Sequence, residues 1–202
     1  MNPIYFSAEF ECSSDKVQIC PPSEAEVAFA GRSNAGKSSA INTLTRNGKL
    51  ARTGKTPGRT QLINHFLVSG GHYLVDLPGY GYAAVSKSKQ KAWQSAMVNY
   101  LTRRESLKGL VIVMDIRRPL QDSDWQMIEI QQQSQAELHV LLTKSDKLSK
   151  NAARSTLMRV GNELEQAGVE ATVQDFSALK HEGLDDCHAV LDSWLFDKPL
   201  PV

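Results

Sequence analysis

The residues best suited to chemistry begin at Gly31-Arg32-Ser33-Asn34-Ala35-Gly36-Lys37-Ser38. A glycine, four residues and then Gly-Lys-Ser, set between a short apolar run and a helical stretch, is the pattern of a phosphate-binding loop. Small residues let successive backbone N–H groups close around phosphate oxygens, and the following helix points its positive end at the same anion. Lys37 is the candidate to bridge the β- and γ-phosphates, and the Ser38 hydroxyl the candidate ligand for Mg²⁺. About 45 residues on, Asp76-Leu77-Pro78-Gly79 places a carboxylate that could hold Mg²⁺ through water and a glycine whose N–H could reach the γ-phosphate. Between them, Gly54 to Gln61 is a basic, Gly-rich loop. Here Gly58, Arg59, Thr60, Gln61 and Leu62 are candidate nucleotide contacts, and Thr60, in preference to Thr56, is a candidate second metal ligand because it immediately precedes a strand. Lys37, Thr60 and Gly79 are the residues expected to act on the γ-phosphate during hydrolysis.

Two later motifs address a base. Thr143-Lys144-Ser145-Asp146 follows an apolar strand. The Asp146 carboxylate can accept from N1–H and the N2 amine of guanine; adenine lacks that donor pair and would leave the carboxylate unpaired. The Lys144 stem can lie along the purine face. Phe176-Ser177-Ala178 ends the last strand, and the Ala178 N–H is a candidate donor to guanine O6.

The elements that position these residues alternate, as in a mostly parallel α/β sheet. Strands are expected over Glu26 to Ala30, Leu62 to Ser69, His72 to Leu77, Leu110 to Ile116, Glu137 to Thr143 and Val169 to Phe176. Gly70-Gly71 would make the second and third of these a hairpin. Helices are expected over Lys37 to Leu44, Ser88 to Arg103, Asp122 to Gln133, Asn151 to Ala167 and Leu184 to Leu195, with Asp122 or Ser123 capping the third. Residues 1–23 fall outside the alternation and read as an arm or an added edge strand near Ile4 to Cys12. Residues 24–196 form the expected nucleotide-binding domain, and 197–202 a frayed tail.

The chain has 202 residues, 41% of them hydrophobic and 22% charged, enough for one domain with a substantial core. No stretch nears the roughly 20 apolar residues of a membrane span, and Met1 to Phe10 lack the basic and apolar regions of a secretory signal. Cys12, Cys20 and Cys187 form no zinc-type or redox pair, which fits a reducing, cytoplasmic setting. The net charge of +1 conceals an asymmetry. Val27 to Arg104 hold twelve Lys or Arg and one acidic residue, Asp76, so that segment carries +11 and the remainder −10. Such a division suggests a surface that meets a polyanion.

These motifs, in this order, resemble the Ras-like P-loop GTPases, within them the Era-like bacterial group, and most of all the EngB (YihA or YsxC) GTPases. The resemblance runs from about Glu24 to Leu195. It rests on the loop from Gly31 to Ser38, on Thr56-Pro57-Gly58-Arg59-Thr60-Gln61, on Asp76-Leu77-Pro78-Gly79-Tyr80-Gly81-Tyr82, and on Thr143-Lys144-Ser145-Asp146. It implies a six-stranded, mostly parallel sheet flanked by helices on both faces. It also implies a slow GTPase that switches between GTP and GDP, with Mg²⁺ as cofactor. The partner it implies is the precursor of the large ribosomal subunit, with its rRNA and proteins, and the role is linked to cell division and septation. Nothing in the sequence demands more than a monomer. Two departures from the wider superfamily matter. The base-reading tetrad begins with Thr143 rather than Asn, and Tyr80 stands where Ras-like enzymes place a water-orienting Gln. An Asn at position 34 accompanies potassium dependence in related GTPases, so a K⁺ ion held by Asn34 is one expectation. The other is that Asn34 serves as a loop former tolerant of unusual backbone angles.

Overall fold

The computed structural model describes residues 2–52, 62–81 and 87–198, with side chains left aside at 87–92. The strands are β1 (Glu9–Ser14), β2 (Ala25–Gly31), β3 (Ile63–Ser69), β4 (His72–Asp76), β5 (Leu107–Asp115), β6 (Glu137–Thr143) and β7 (Thr172–Phe176). The helices are α1 (Lys37–Leu44), α2 (Lys87–Arg103), α3 (Asp122–Gln131), α4 (Lys150–Gln166) and α5 (Leu184–Phe196). The strands form one sheet in the order β1-β3-β4-β2-β5-β6-β7. The two pairings that involve β3 are antiparallel and the other four are parallel.

The central strands are apolar throughout because both faces are covered. In β2 all seven residues are buried. Ala28 and Ala30 join Leu110, Ile112 and Met114 of β5 on the face covered by α2, α3 and α4. Val27 and Phe29 join Val111 and Val113 on the opposite face, under α1 and α5. Successive residues thus serve two cores, which is why the sequence shows runs here instead of alternation.

Among the described residues the sheet has seven strands, not the six implied by the resemblance. The seventh is β1, and it lies later than the expected Ile4 to Cys12. Pro3–Ser7 instead forms a 3₁₀ turn, for two physical reasons. Asn2 caps it by accepting from the Ile4 N–H at 3.1 Å, and Pro3 pre-sets its first turn. Tyr5 then docks on α5: its ring stacks on His188 with centroids 4.6 Å apart, and its hydroxyl donates to Asp192 at 2.9 Å. The chain becomes free to pair with β3 only after this anchor.

Smaller differences have local causes. Strand β5 starts three residues before the expected Leu110, because Leu107 already pairs with Glu26 of β2, two residues before Gly109 pairs with Glu137 of β6 beneath the Trp194 ring. Strand β7 starts three after the expected Val169, whose N–H is spent on the Leu164 carbonyl at the end of α4. Helix α3 is capped neither by Asp122 nor by Ser123. Gln121 is its N-cap, and the Asp124 carboxylate accepts the Gln121 N–H at 2.9 Å.

At the amino end of β2 a carboxylate is fully enclosed. Glu26 accepts from Arg104 Nε at 3.0 and 3.1 Å, from the Tyr100 hydroxyl at 2.7 Å and from the Ser23 hydroxyl at 2.5 Å. Burial alone would push its carboxyl up; the bonds from Arg104, Ser23 and Tyr100 outweigh that and hold it below its ordinary value. Removing one partner strands the other in the core, which costs more than the pair itself contributes. Glu26→Ala is expected to lose about 3 kcal/mol of stability, read as a lower urea midpoint at unchanged slope. Because the folded-state value is depressed, Glu26's contribution is present above the unfolded carboxylate pKa. The gap between wild type and variant should narrow as pH falls below about 4.

Candidate functional site

The motifs singled out in the sequence meet at the carboxyl edge of the sheet. Strand β2 runs into the loop 31–36, which passes between the ends of β4, β5 and β6. Two of its glycines are fixed by close approach. A Cβ on Gly31 would fall 2.7 Å from the Val113 carbonyl, and one on Gly36 would fall 3.1 Å from the Thr143 hydroxyl. Gly36 also takes φ +105° as the N-cap of α1, a backbone setting that side chains resist. Asn34 sits at φ 63°, so its tolerance of the left-handed region is used.

The loop's outward carbonyls are tied down one by one. The Thr143 hydroxyl bonds the Ala35 carbonyl, with the Met114 carbonyl at 3.0 Å as its other acceptor. A hydroxyl has one proton, so it serves one carbonyl at a time. Lys144 Nζ donates to the Asn34 carbonyl at 2.6 Å and to Asp115 at 2.9 Å. These contacts account for the unusual tetrad: a threonine hydroxyl reaches the phosphate loop from the end of β6 without an asparagine amide.

Lys37 opens α1, and its ammonium pairs with the Asp76 carboxylate at the end of β4. Asp76 is only 8% exposed. The segment after it lies along the phosphate loop. The Leu77 N–H bonds the Phe29 carbonyl at 3.0 Å, the Tyr80 N–H the Gly31 carbonyl at 3.3 Å, and the Ser33 N–H the Tyr80 carbonyl at 3.1 Å. Gly79 sits in the middle of this contact, its Cβ position 3.6 Å from the Gly31 carbonyl. Pro78 is held by Trp93 of α2, whose indole N–H donates to the Pro78 carbonyl at 3.3 Å.

At the far end, Lys144 takes φ 62° and turns the chain into a 3₁₀ segment, Ser145–Lys147, that presents Asp146. The Asp146 carboxylate accepts from the Ser177 hydroxyl at 2.8 Å and lies 3.2 Å from Lys147 Nζ. The hydroxyl bond and the ammonium charge hold its carboxyl below the ordinary value, so it is ionised near neutrality. Ser177 and Phe176 are fully buried at the end of β7, with Ala178 just beyond. The structure thus gives Ser177 a job that its tripeptide did not disclose, aiming Asp146. Leu62, 39% exposed, lies just before β3. Gly58, Arg59, Thr60 and Gln61 lie outside the described residues, as does Thr56.

Several neighbours of the site lie outside the motifs singled out in the sequence. A cleft of ≈ 430 Å³ opens beside residues 32–35, walled by Asp115, Arg117, Arg118 and Lys144. Arg117 holds Asp115 in two parallel bonds of 2.9 and 2.6 Å. Burial would raise the Asp115 carboxyl, but the bonds from Arg117 and Lys144 outweigh it and hold the carboxyl far below the usual range. Asp124 of α3, fully buried, was missed as well. A run Asp-Ile-Arg-Arg after an apolar strand could have suggested the first group; only the fold brings Asp124 near.

The comparisons agree with this geometry. A family model described as a 50S ribosome-binding GTPase matches residues 26–144. "Probable GTP-binding protein EngB" of Azoarcus sp. (strain BH72) is 52% identical over 195 residues, covering 96% of this chain and 93% of that protein. The protein of the same name from Coxiella burnetii (strain CbuG_Q212) is 49% identical over 198 residues, covering 98% and 97%. Among solved structures, a probable GTP-binding protein engB superposes with a TM-score of 0.69 at 22% identity, over 86% of this chain and 100% of that one. Era, in a complex with MgGDPNP and a 16S ribosomal RNA fragment, gives 0.64 at 18% identity over 88% of this chain and 58% of that one. At such identities the two structures speak for the fold alone. With half of the sequence shared across nearly the whole of both chains, and the phosphate and base motifs gathered at one sheet edge, the chain belongs to the EngB family of GTP-binding proteins and is a GTPase.

Proposed function

We propose that this protein is a guanine-nucleotide switch in assembly of the large ribosomal subunit, acting in the cytoplasm as a monomer and linked to cell division and septation. The observation that carries the nucleotide half is the Lys37–Asp76 pair at the mouth of the loop 31–36. A triphosphate and a divalent cation would each take one member of it. Lys37 would turn to the β- and γ-phosphates beside the N–H groups at the start of α1, and Asp76 would hold Mg²⁺ through water, with the Ser38 hydroxyl as the first direct ligand. Hard carboxylate and hydroxyl oxygens suit that ion. Mg²⁺ supplies charge neutralisation on the phosphate oxygens. Thr60 is proposed as the second protein ligand, with Gly58, Arg59, Gln61 and Leu62 beside it, and Gly79 as the donor to the γ-phosphate. Asp146, set by Ser177, reads guanine with Thr143, Lys144 and Ser145, and Ala178 follows Phe176 and Ser177 at its edge. Residues 24–196 make up this nucleotide-binding domain.

Tyr80 supports a slow intrinsic rate. Its side chain is 5% exposed and its hydroxyl donates to Asp124 at 2.9 Å, so it does not serve as a water-orienting group. A rate on the order of 10⁻³ s⁻¹ or below is expected by analogy with unassisted Ras. The ribosomal half rests on the match to a family of 50S ribosome-binding GTPases and on the +11 charge of Val27 to Arg104, which contains both segments expected to respond to the γ-phosphate. K⁺ beside Asn34 belongs to the same proposal, as a positive charge near the phosphates.

Four experiments test these points. Calorimetric titration should show GTP and GDP binding and ATP binding at least about 100-fold weaker. Asp146→Asn, which swaps an acceptor for a donor, should lose about 100-fold in GTP affinity and gain xanthosine triphosphate binding. Guanine preference intact in that variant would remove Asp146 from the base site. Large-subunit particles should co-sediment the protein with a GTP analogue at low salt, and lose it in GDP or as salt rises; binding indifferent to both contradicts an RNA-facing switch. Hydrolysis should be faster in K⁺ than in Na⁺ at equal ionic strength, and equal rates would dismiss the monovalent ion.

A further inference from the structure

Asp124 stands in the first turn of α3, where a carboxylate ordinarily caps a helix from the surface. Here it is 0% exposed. Capping does not call for that: enclosing an ionised carboxylate is costly unless several donors reach it. Three do. The Gln121 N–H takes Oδ2 at 2.9 Å, the Tyr80 hydroxyl takes Oδ1 at 2.9 Å, and Arg32 Nε lies 3.2 Å from Oδ2. Burial raises the Asp124 carboxyl above its ordinary value despite these donors.

The two side chains it gathers come from the two segments that flank the γ-phosphate position. Arg32 belongs to the phosphate loop, and its Nη2 also donates to the Arg118 carbonyl at 2.7 Å. Tyr80 follows Gly79. Their backbones are joined as a parallel bridge between Arg32 and Tyr80. The turn 78–80 is therefore gripped at both ends. Trp93 of α2 holds the Pro78 carbonyl at 3.3 Å and packs its ring against Tyr80 with centroids 5.8 Å apart. Asp124 of α3 holds the Tyr80 hydroxyl. Gly79, between them, has the phosphate loop as its neighbour.

We propose that Asp124 is a positioning residue that acts through Tyr80 and Arg32 to fix the Gly79 N–H against the phosphate loop, and so sets the preference for GTP over GDP. It rests on the placement of the γ-phosphate at Gly79 made above. GDP lacks that phosphate, so a loosened Gly79 penalises GTP and leaves GDP untouched. A carboxylate that merely capped α3 would change stability and affect both nucleotides alike.

The test uses the full chain with fluorescent GDP and a fluorescent non-hydrolysable GTP analogue. Tyr80→Phe deletes one oxygen inside an otherwise unchanged core. It is expected to weaken the analogue about ten-fold and to leave GDP within about two-fold. Asp124→Asn should shift the same ratio, and the double variant should be little worse than either single one, because both weaken the one Tyr80–Asp124 contact. In steady-state hydrolysis the loss should appear in kcat/KM. A ratio unchanged in Tyr80→Phe, with only a lower melting temperature, would overturn the proposal even if Asp124→Asn fails to fold. Wild-type protein that bound neither nucleotide would overturn it together with the placement on which it rests.

Discussion

The site depends on how closely a short loop can be drawn against three strand ends. Between Gly31 and Gly36 the backbone comes so near to β5 and β6 that a Cβ would meet the Val113 carbonyl or the Thr143 hydroxyl. That proximity lets strand ends satisfy the loop's carbonyls. Gly31 is bonded by the Tyr80 N–H, Asn34 by Lys144 and Ala35 by Thr143. With those three oxygens bonded from outside, the loop is held in shape against the strand ends, and the amino end of α1 stands where an anion can meet it. The parallel core beneath serves this end. It is buried on both faces and so fixes the strand ends relative to one another.

Three carboxylates show how burial and partner number separate fixed from exchangeable charge. Glu26, at the amino end of β2, is enclosed by a guanidinium and two hydroxyls and has no route to solvent. Asp124 is likewise enclosed, but its partners sit on segments facing the nucleotide site. Asp76 differs: it is slightly exposed and pairs with the one ammonium of Lys37. An ammonium is a point charge on a flexible stem and changes partner more readily than a guanidinium held by several bonds. The pair that a nucleotide and a metal would have to separate is thus the one whose chemistry permits it.

Much of this was legible because it is local. The central strands appear as apolar runs, and each motif sits at a strand end. The parts that were not legible depend on distant partners. Residues 3–7 look extended until Tyr5 meets His188 and Asp192, nearly two hundred residues away. Asp122 and Ser123 both look like possible caps of α3. Only packing against Tyr80 and Arg32 decides that Asp124 turns inward and that Gln121 takes the cap. Ser177 reads as an ordinary exit from β7 until Asp146 is found 2.8 Å away. Asp115 and Arg117 lie outside the motifs, yet they fix Lys144 over the phosphate loop. In each case the missing information was a contact between residues far apart in the chain, which no periodicity encodes.

The inward turn of Tyr80 has a consequence for timing. A side chain at this position can either orient water or anchor the backbone beside it, and the hydroxyl bond to Asp124 commits it to anchoring. Anchoring sharpens the discrimination between triphosphate and diphosphate, because it holds a γ-phosphate donor in place beforehand. It does nothing for the attacking water. On the proposed reading, the chain is therefore built to recognise GTP well and to cleave it slowly, and a faster rate requires a group that the position after Gly79 does not provide. Such a division suits a switch whose lifetime is set by its partner. The basic flanks of the same two segments, with Arg32, Arg117 and Arg118 beside the loop, are where an anionic partner would come close enough to set it.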